Sequence, residues 1–295
     1  MVERHTILHR EQLSAEVFLL RVGAALIAQE RQPGQFIMLS LDLEYGERIP
    51  LTIADADVRE GSITLIFQRV GQGTAALAEL KVGDEIPILV GPLGRPTHIE
   101  RVGTVVCVGG GIGVAPLYPI IAGMKAAGNR IISIVGARSR ELILIEDRIR
   151  ALSDELIVCT DDGSYGRKAL VTEPLTEVCQ RQPRPNLVVV IGPAIMMKFC
   201  AQVTRPFAVR TLVSLNSVMV DGTGMCGGCR VSVGGQTKFV CVDGPEFDGH
   251  AVDFDELMKR QQAYRTDEKA AMTRWLDARH ACTIAEQARD KLAQK

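Results

Sequence analysis

Asp221, Cys226, Cys229 and Cys241 follow one another as Asp-x4-Cys-x2-Cys, with the fourth donor twelve residues further on. Plant-type [2Fe–2S] centres use Cys-x4-Cys-x2-Cys and a later Cys, so this is an iron–sulfur spacing with a carboxylate in the first place. Gly222, Gly224, Gly227 and Gly228 lie between the donors. Residues without Cβ let backbone N–H groups turn toward inorganic sulfide. Electron transfer is the chemistry this pattern predicts. Zinc is the competing occupant, since it too accepts thiolates and a carboxylate, although structural zinc sites usually pair two short hairpins and this chain has one Cys-x2-Cys. Cys107, Cys159, Cys179 and Cys200 sit in apolar runs and read as core residues. Cys282, in a charged stretch, has no assignment.

Two glycine-rich corners suit phosphate. Val108-Gly109-Gly110-Gly111-Ile112-Gly113-Val114 joins an apolar strand to a helical run. Backbone there approaches a pyrophosphate closely, and the N–H groups of the following helix favour its charge. The next strand ends at Gly136-Ala137-Arg138-Ser139-Arg140-Glu141, where Arg138 and Arg140 suit a 2′-phosphate and Glu141 suits a free 2′-hydroxyl, leaving NAD and NADP open. Earlier, Arg48-Ile49-Pro50-Leu51-Thr52 puts a guanidinium and a hydroxyl on one side of an extended strand. Gln68-Arg69-Val70-Gly71-Gln72-Gly73-Thr74 then forms a second corner before a short helical run, residues 75–80. A surface arginine or a simple helix cap would explain either alone. Together, ahead of a nucleotide-binding pattern, they favour a flavin.

The elements that must hold these groups change character along the chain. To about residue 96, short alternating runs such as Val17–Val22, Phe36–Leu39 and Ile63–Phe67 are broken by Gly, Pro and Asp, which predicts a small antiparallel barrel. Beyond Arg101, buried-strand patterns at 104–108, 130–135, 156–159, 187–191 and 212–215 alternate with helical runs at 115–127 and 168–181, the form of a doubly wound α/β domain. The expected divisions are a barrel at 1–98, an α/β domain at 99–216, a cluster segment at 217–250 and a helical tail at 251–295. A formal net charge of −1 over 295 residues argues against nucleic acid as the partner. No apolar signal or membrane-length run is visible, and eight cysteines suit a reducing, cytoplasmic setting.

The order Arg48-x-Pro50-x-Thr52, Gly71-x-Gly73-Thr74, Gly91-Pro92-Leu93-Gly94, Gly109 to Pro116 and Gly192-Pro193-x-x-Met196-Met197 resembles the ferredoxin–NADP reductase superfamily over about residues 1–250. The cluster loop narrows the resemblance to electron-transfer subunits of two kinds: those of dihydroorotate dehydrogenases and the small subunit of NADH-dependent ferredoxin:NADP oxidoreductase, also called sulfide dehydrogenase. Asp221 and the run Thr160-Asp161-Asp162-Gly163-Ser164-Tyr165-Gly166 look like the second kind; Cys at the first ligand place characterises the first. The resemblance implies FAD held by Arg48, Pro50, Leu51, Thr52, Gln68, Val70, Gly71, Gly73 and Thr74. It places NAD(H) or NADP(H) at Gly110, Gly111, Ile112, Gly113, Arg138, Gly192 and Pro193, and the cluster on Asp221, Cys226, Cys229 and Cys241. It also implies a larger flavin and iron–sulfur partner subunit, with ferredoxin reached through that complex. Leu51 stands where many relatives carry an aromatic residue. The expected function is electron transfer between NAD(P)H, FAD and the cluster; the alternatives are electron delivery to a dihydroorotate dehydrogenase and a zinc-stabilised binding protein without redox work.

Overall fold

A computed structural model describes residues 4–43 and 46–293, with side chains described through Arg279. Cys282 lies outside the described side chains.

Among the described residues, β1 His5–Gln12, β2 Val17–Gly23, β3 Phe36–Ser40, β4 Ile49–Asp57, β5 Ser62–Gln68, β6 Glu85–Ile86 and β7 Ile88–Leu93 pair antiparallel in the order β6-β1-β2-β5-β4-β3-β7. The end strands β6 and β7 are separated in sequence by Pro87 alone, so the sheet curls into a nearly closed barrel. Alternation fills it: Ile37 and Leu39 of β3, Ile53 of β4, Leu65 and Phe67 of β5 and Leu20 of β2 meet inside. Helices α1 Ala25–Glu30 and α2 Gln72–Glu79 belong to this unit.

The second sheet contains β8 Thr104–Gly110, β9 Arg130–Ala137, β10 Glu155–Thr160, β11 Arg167–Lys168, β12 Leu187–Ile191 and β13 Arg210–Ser214, all parallel, in the order β11-β10-β9-β8-β12-β13. The interleaved helices are α3 Val114–Ala126, α4 Glu146–Leu152, α5 Thr172–Gln180 and α6 Ala194–Thr204. Strand order reverses at β8, with β9 on one side and β12 on the other, so the switch point that such sheets use for ligands lies at the C-terminal ends of β8 and β12. One helix is shorter than its periodicity predicts. Lys168 pairs with Thr160 in β11, and α5 begins only at Thr172. A helix started at Lys168 would drive the Pro174 ring into the carbonyl of Leu170, whereas Pro is tolerated in a first turn.

The chain then forms the hairpin β14 Arg230–Val233 and β15 Gln236–Phe239, a short helix α7 Val240–Asp243, and β16 Glu246–Asp248, which adds antiparallel to the outer edge of β13. Helices α8 Phe254–Gln261 and α9 Arg265–Ala293 follow, α9 reaching α2 through an Arg279–Glu79 ion pair. No helix among the described residues is long and apolar enough to cross a membrane.

The two sheets are welded by apolar contact. Val17, Leu19, Ala54 and Ile66 on the outer face of the barrel share a core with Val114, Leu117 and Ile121 of α3. The connecting stretch is clasped as well. Arg95 donates its N–H to Gly244 O at 2.7 Å and its Nε to Val242 O at 3.1 Å, while Thr97 Oγ1 donates to Glu246 Oε1 at 2.5 Å. Burial pushes the Glu246 carboxyl above its ordinary 4.5, against the lowering effects of Thr97 and then Arg210. Because the unfolded chain releases this proton first, the contribution of Glu246 to stability is full below 4.5 and is lost as pH climbs through the raised folded value. Glu246→Gln stays neutral, so its urea midpoint should fall less steeply than the parent's as pH rises from 4.5; parallel curves would refute this assignment.

Candidate functional site

The outer face of β4 is turned toward α3. Ile49, Leu51 and Ile53 turn toward the barrel core, while Pro50 and Thr52 take the opposite face, across from Met38 and Phe36 of β3. Arg48 continues the outward register and is exposed. Leu51 therefore offers this face its backbone and packs its side chain inside. Ala54, next along the same face, is covered by α3, so Pro50 and Thr52 stand beside the start of that helix.

Just ahead of α3 is the glycine loop, whose short helical turn Gly111–Gly113 lies against β5. Two of its glycines are dictated by space. A Cβ on Gly113 would sit 2.3 Å from Ile191 O, and one on Gly110 would sit 2.4 Å from Met196 Sδ. The loop is thereby pressed onto the end of β12, where Gly192 approaches Gly110 and Pro193 opens α6. Arg138 follows β9 at the same edge, exposed and with no ion pair among the described residues. Its neighbour Arg140 stacks over the Tyr165 ring at 5.3 Å. The 161–164 turn is hydrogen-bonded alongside, through Asp161 N–H to Ala137 O, Asp162 N–H to Arg138 O and Arg140 N–H to Ser164 Oγ.

The second corner is already engaged. Thr74 Oγ1 accepts from the N–H groups of Val70 and Gly71, each at 3.1 Å, and Gly73 N–H donates to Glu47 Oε2 at 3.0 Å. The Glu47 carboxylate occupies the anion place at the start of α2, so the corner accepts negative charge. Gln68 closes β5 beside it and Val70 is exposed. Nothing in the sequence pattern marks Glu47, because its contact with Gly73 spans 26 residues.

The Asp/Cys segment brings Cys229 and Cys241 together: the Cys229 thiol donates to Cys241 Sγ at 3.1 Å, in a buried setting. Burial first, then Cys229, pushes the Cys241 thiol upward, so protons leave this pair when a metal replaces them. Cys226 is exposed, with its Sγ accepting from Gly228 N–H at 3.4 Å. Asp221 caps the loop, its two oxygens accepting from Thr223 N–H at 2.9 Å and Cys226 N–H at 2.8 Å. These bonds hold its carboxyl below the usual range, Thr223 contributing most. Gly222, Gly224 and Gly227 all have positive φ, wrapping the backbone around the donors. Asp221, Cys226 and Cys229 lie on one loop and Cys241 comes back to Cys229 from α7; three thiols with one carboxylate fit a two-iron cluster, whose ligands divide between two metal atoms.

A barrel beside a switch-point glycine loop, followed by this cluster-type segment, defines an electron-transfer reductase of the ferredoxin–NADP reductase type. Residues 216–253 match the iron–sulfur cluster binding domain of dihydroorotate dehydrogenase B. The chain is 46% identical over 270 residues to a dihydroorotate dehydrogenase B (NAD(+)) electron transfer subunit homolog of Thermotoga maritima, covering 92% of this chain and 95% of that one. It is 31% identical over 255 residues to the electron transfer subunit of Bacillus caldolyticus, covering 83% and 96%. A solved structure described as the NADH-dependent reduced ferredoxin-NADP oxidoreductase, in work on flavin-based electron bifurcation, superposes with a TM-score of 0.87 at 45% identity, covering 92% of this chain and 98% of its own. The chain belongs to the family of dihydroorotate dehydrogenase B electron transfer subunits and their homologues.

The glycine loop offers a direct check. Gly111 has φ +54 with open space around it, so Gly111→Ala should cost about 1–2 kcal/mol of backbone strain. Gly113→Ala drives a methyl into rigid backbone at Ile191 and should cost more, read as a larger drop in urea midpoint. Equal losses would show that the loop is not pressed against β12.

Proposed function

We propose that the crevice between the outer face of β4 and the glycine loop brings a nicotinamide against a flavin, and that the Asp221–Cys241 segment carries electrons onward to a larger subunit. FAD held beside Pro50 and Thr52 would supply two-electron exchange with the nicotinamide and one-electron exchange with a [2Fe–2S] cluster held by Asp221, Cys226, Cys229 and Cys241. The observation that carries this reading is the contact of the Gly111–Gly113 turn with β5, which puts the nucleotide loop beside the face bearing Pro50 and Thr52.

On this reading the chain's work is binding and orientation, with no side chain acting as acid or base. Arg48 supplies charge to a phosphate, Pro50, Thr52 and the Leu51 backbone border the flavin ring, and Gln68, Val70, Gly71, Gly73 and Thr74 form the diphosphate corner. Gly110, Gly111, Ile112, Gly113, Gly192 and Pro193 seat the nicotinamide nucleotide at the switch point, and Arg138 faces its adenosine end. Asp221, Cys226, Cys229 and Cys241 ligate the cluster. Residues 1–98 then serve the flavin, 99–216 the nucleotide and 217–250 the cluster, with 251–295 as a tail. A well-oriented pair of cofactors replaces a bimolecular encounter. The names of the relatives favour NAD(H) as the nucleotide, and free thiols suit the cytoplasm. The partner is a larger redox subunit. Similarity at 45% identity favours the ferredoxin:NADP oxidoreductase type, whereas the match at 216–253 favours a dihydroorotate dehydrogenase; the large subunit that co-purifies separates them.

Anaerobic titration of the purified chain with NADH and, separately, NADPH, with iron and flavin assayed on the same sample, tests the assignment. NADH is expected to bleach flavin and cluster bands in order, and Asp221→Cys to shift the cluster's reduction potential while leaving flavin content unchanged. A colourless chain holding zinc would replace this reading with that of a binding protein.

A further inference from the structure

Strand β3 faces two cores at once. Ile37 and Leu39 point into the barrel. Phe36 and Met38 point the other way, into a core that also holds Cys229, Val231, Val240 and Cys241. On this outer face Met38 lies opposite Pro50, one of the residues assigned to the flavin. Its other flank meets the cluster segment, where a Cβ on Gly222 would lie 2.6 Å from Met38 Cγ and 3.2 Å from Leu93 Cδ1. Gly222 follows Asp221 directly and has φ +78. Met38 is 3% exposed, so its side chain is shielded from solvent.

The two ends of the cluster segment are held differently. Residues 242–244 are tied to the interdomain stretch through Arg95. At the other end, the hydrogen bonds of Asp221, Thr223, Cys226 and Gly228 run within the segment and to Arg260. Packing against Met38 and Leu93 is what seats that end on the barrel.

The geometry points to Met38 as the positioning residue that sets the separation between the flavin face of the barrel and the first-ligand end of the cluster segment. This rests on the two sites assigned under Proposed function. Single-electron transfer weakens steeply with distance and with voids in the intervening medium. An unbranched, polarisable thioether fills the irregular space between strand and loop without a gap. Removing it opens a cavity that the loop, which among the described residues makes no hydrogen bond to the barrel at this end, moves within.

The test follows flavin and cluster absorbance separately after anaerobic mixing of the full chain with NADH, in the parent, Met38→Ala, Met38→Leu and Gly222→Ala, with iron and flavin contents measured on each. Amide hydrogen exchange over residues 221–224 is the readout that does not depend on turnover. Met38→Ala is expected to keep both contents and the flavin phase, to slow the cluster phase by about tenfold and to exchange faster at 221–224. Met38→Leu, which conserves volume, should restore both. Gly222→Ala should slow the cluster phase as well; if it loses iron instead, Met38→Ala decides, because Met38 is no neighbour of a ligand in sequence. An unchanged cluster phase, unchanged exchange, or iron loss from Met38→Ala overturns the assignment of Met38 alone. Absence of either band from the parent chain overturns the functional reading, and this inference with it.

Discussion

The two-sided packing of β3 is the constraint on which the arrangement turns. A strand alternates its side chains between faces, and β3 has buried apolar residues on both. Its inner residues close the barrel, and its outer pair, Phe36 and Met38, joins the core that encloses Cys229 and Cys241. A polar residue at either outer position would face that core without a partner, at a cost of about 1–3 kcal/mol. Strand β4 next to it uses the same alternation to leave Pro50 and Thr52 facing outward. The barrel thus offers its outer surface both to the α/β domain and to the cluster segment.

The cysteines divide along a similar line. Cys107 and Cys200 are buried with their thiols pushed up to about 12 by desolvation, and Cys179 to about 11. Cys229 and Cys241 are buried too, and burial likewise pushes the Cys241 thiol up to about 12. What sets the cysteines of the segment apart is their arrangement: Cys229 and Cys241 meet at 3.1 Å, and Cys226 is exposed among glycines of positive φ.

Local pattern made much of this visible in the sequence. The strands expected at 17–22, 36–39 and 187–191, the glycine loop and the Asp/Cys spacing all depend on neighbours a few residues away. What stayed hidden depends on distance along the chain. The addition of β16 to β13 joins segments more than thirty residues apart and has no periodic signature in its three residues. Glu47 reaches α2 from the stretch ahead of β4. The early start expected for α5 failed because one parallel pairing, Lys168 with Thr160, together with Pro174, outweighed a helical period. The outward turn of Met38 toward Gly222 could be read as alternation, but not as the partner it meets.

The addition of β16 beside β13 has a consequence for how the cluster segment is carried. Leu215 N–H donates to Pro245 O at 2.9 Å, so the chain leaves the sheet and returns to it through a hydrogen-bonded neck. Residues 216–244 form an excursion whose two ends are held side by side at the edge of the sheet. In such a design the segment is a cassette on the rim: the parallel sheet gains one antiparallel edge strand and needs no rearrangement of its own. A nucleotide-binding sheet is thereby given a one-electron terminal at its border, while its switch point lies undisturbed two strands away.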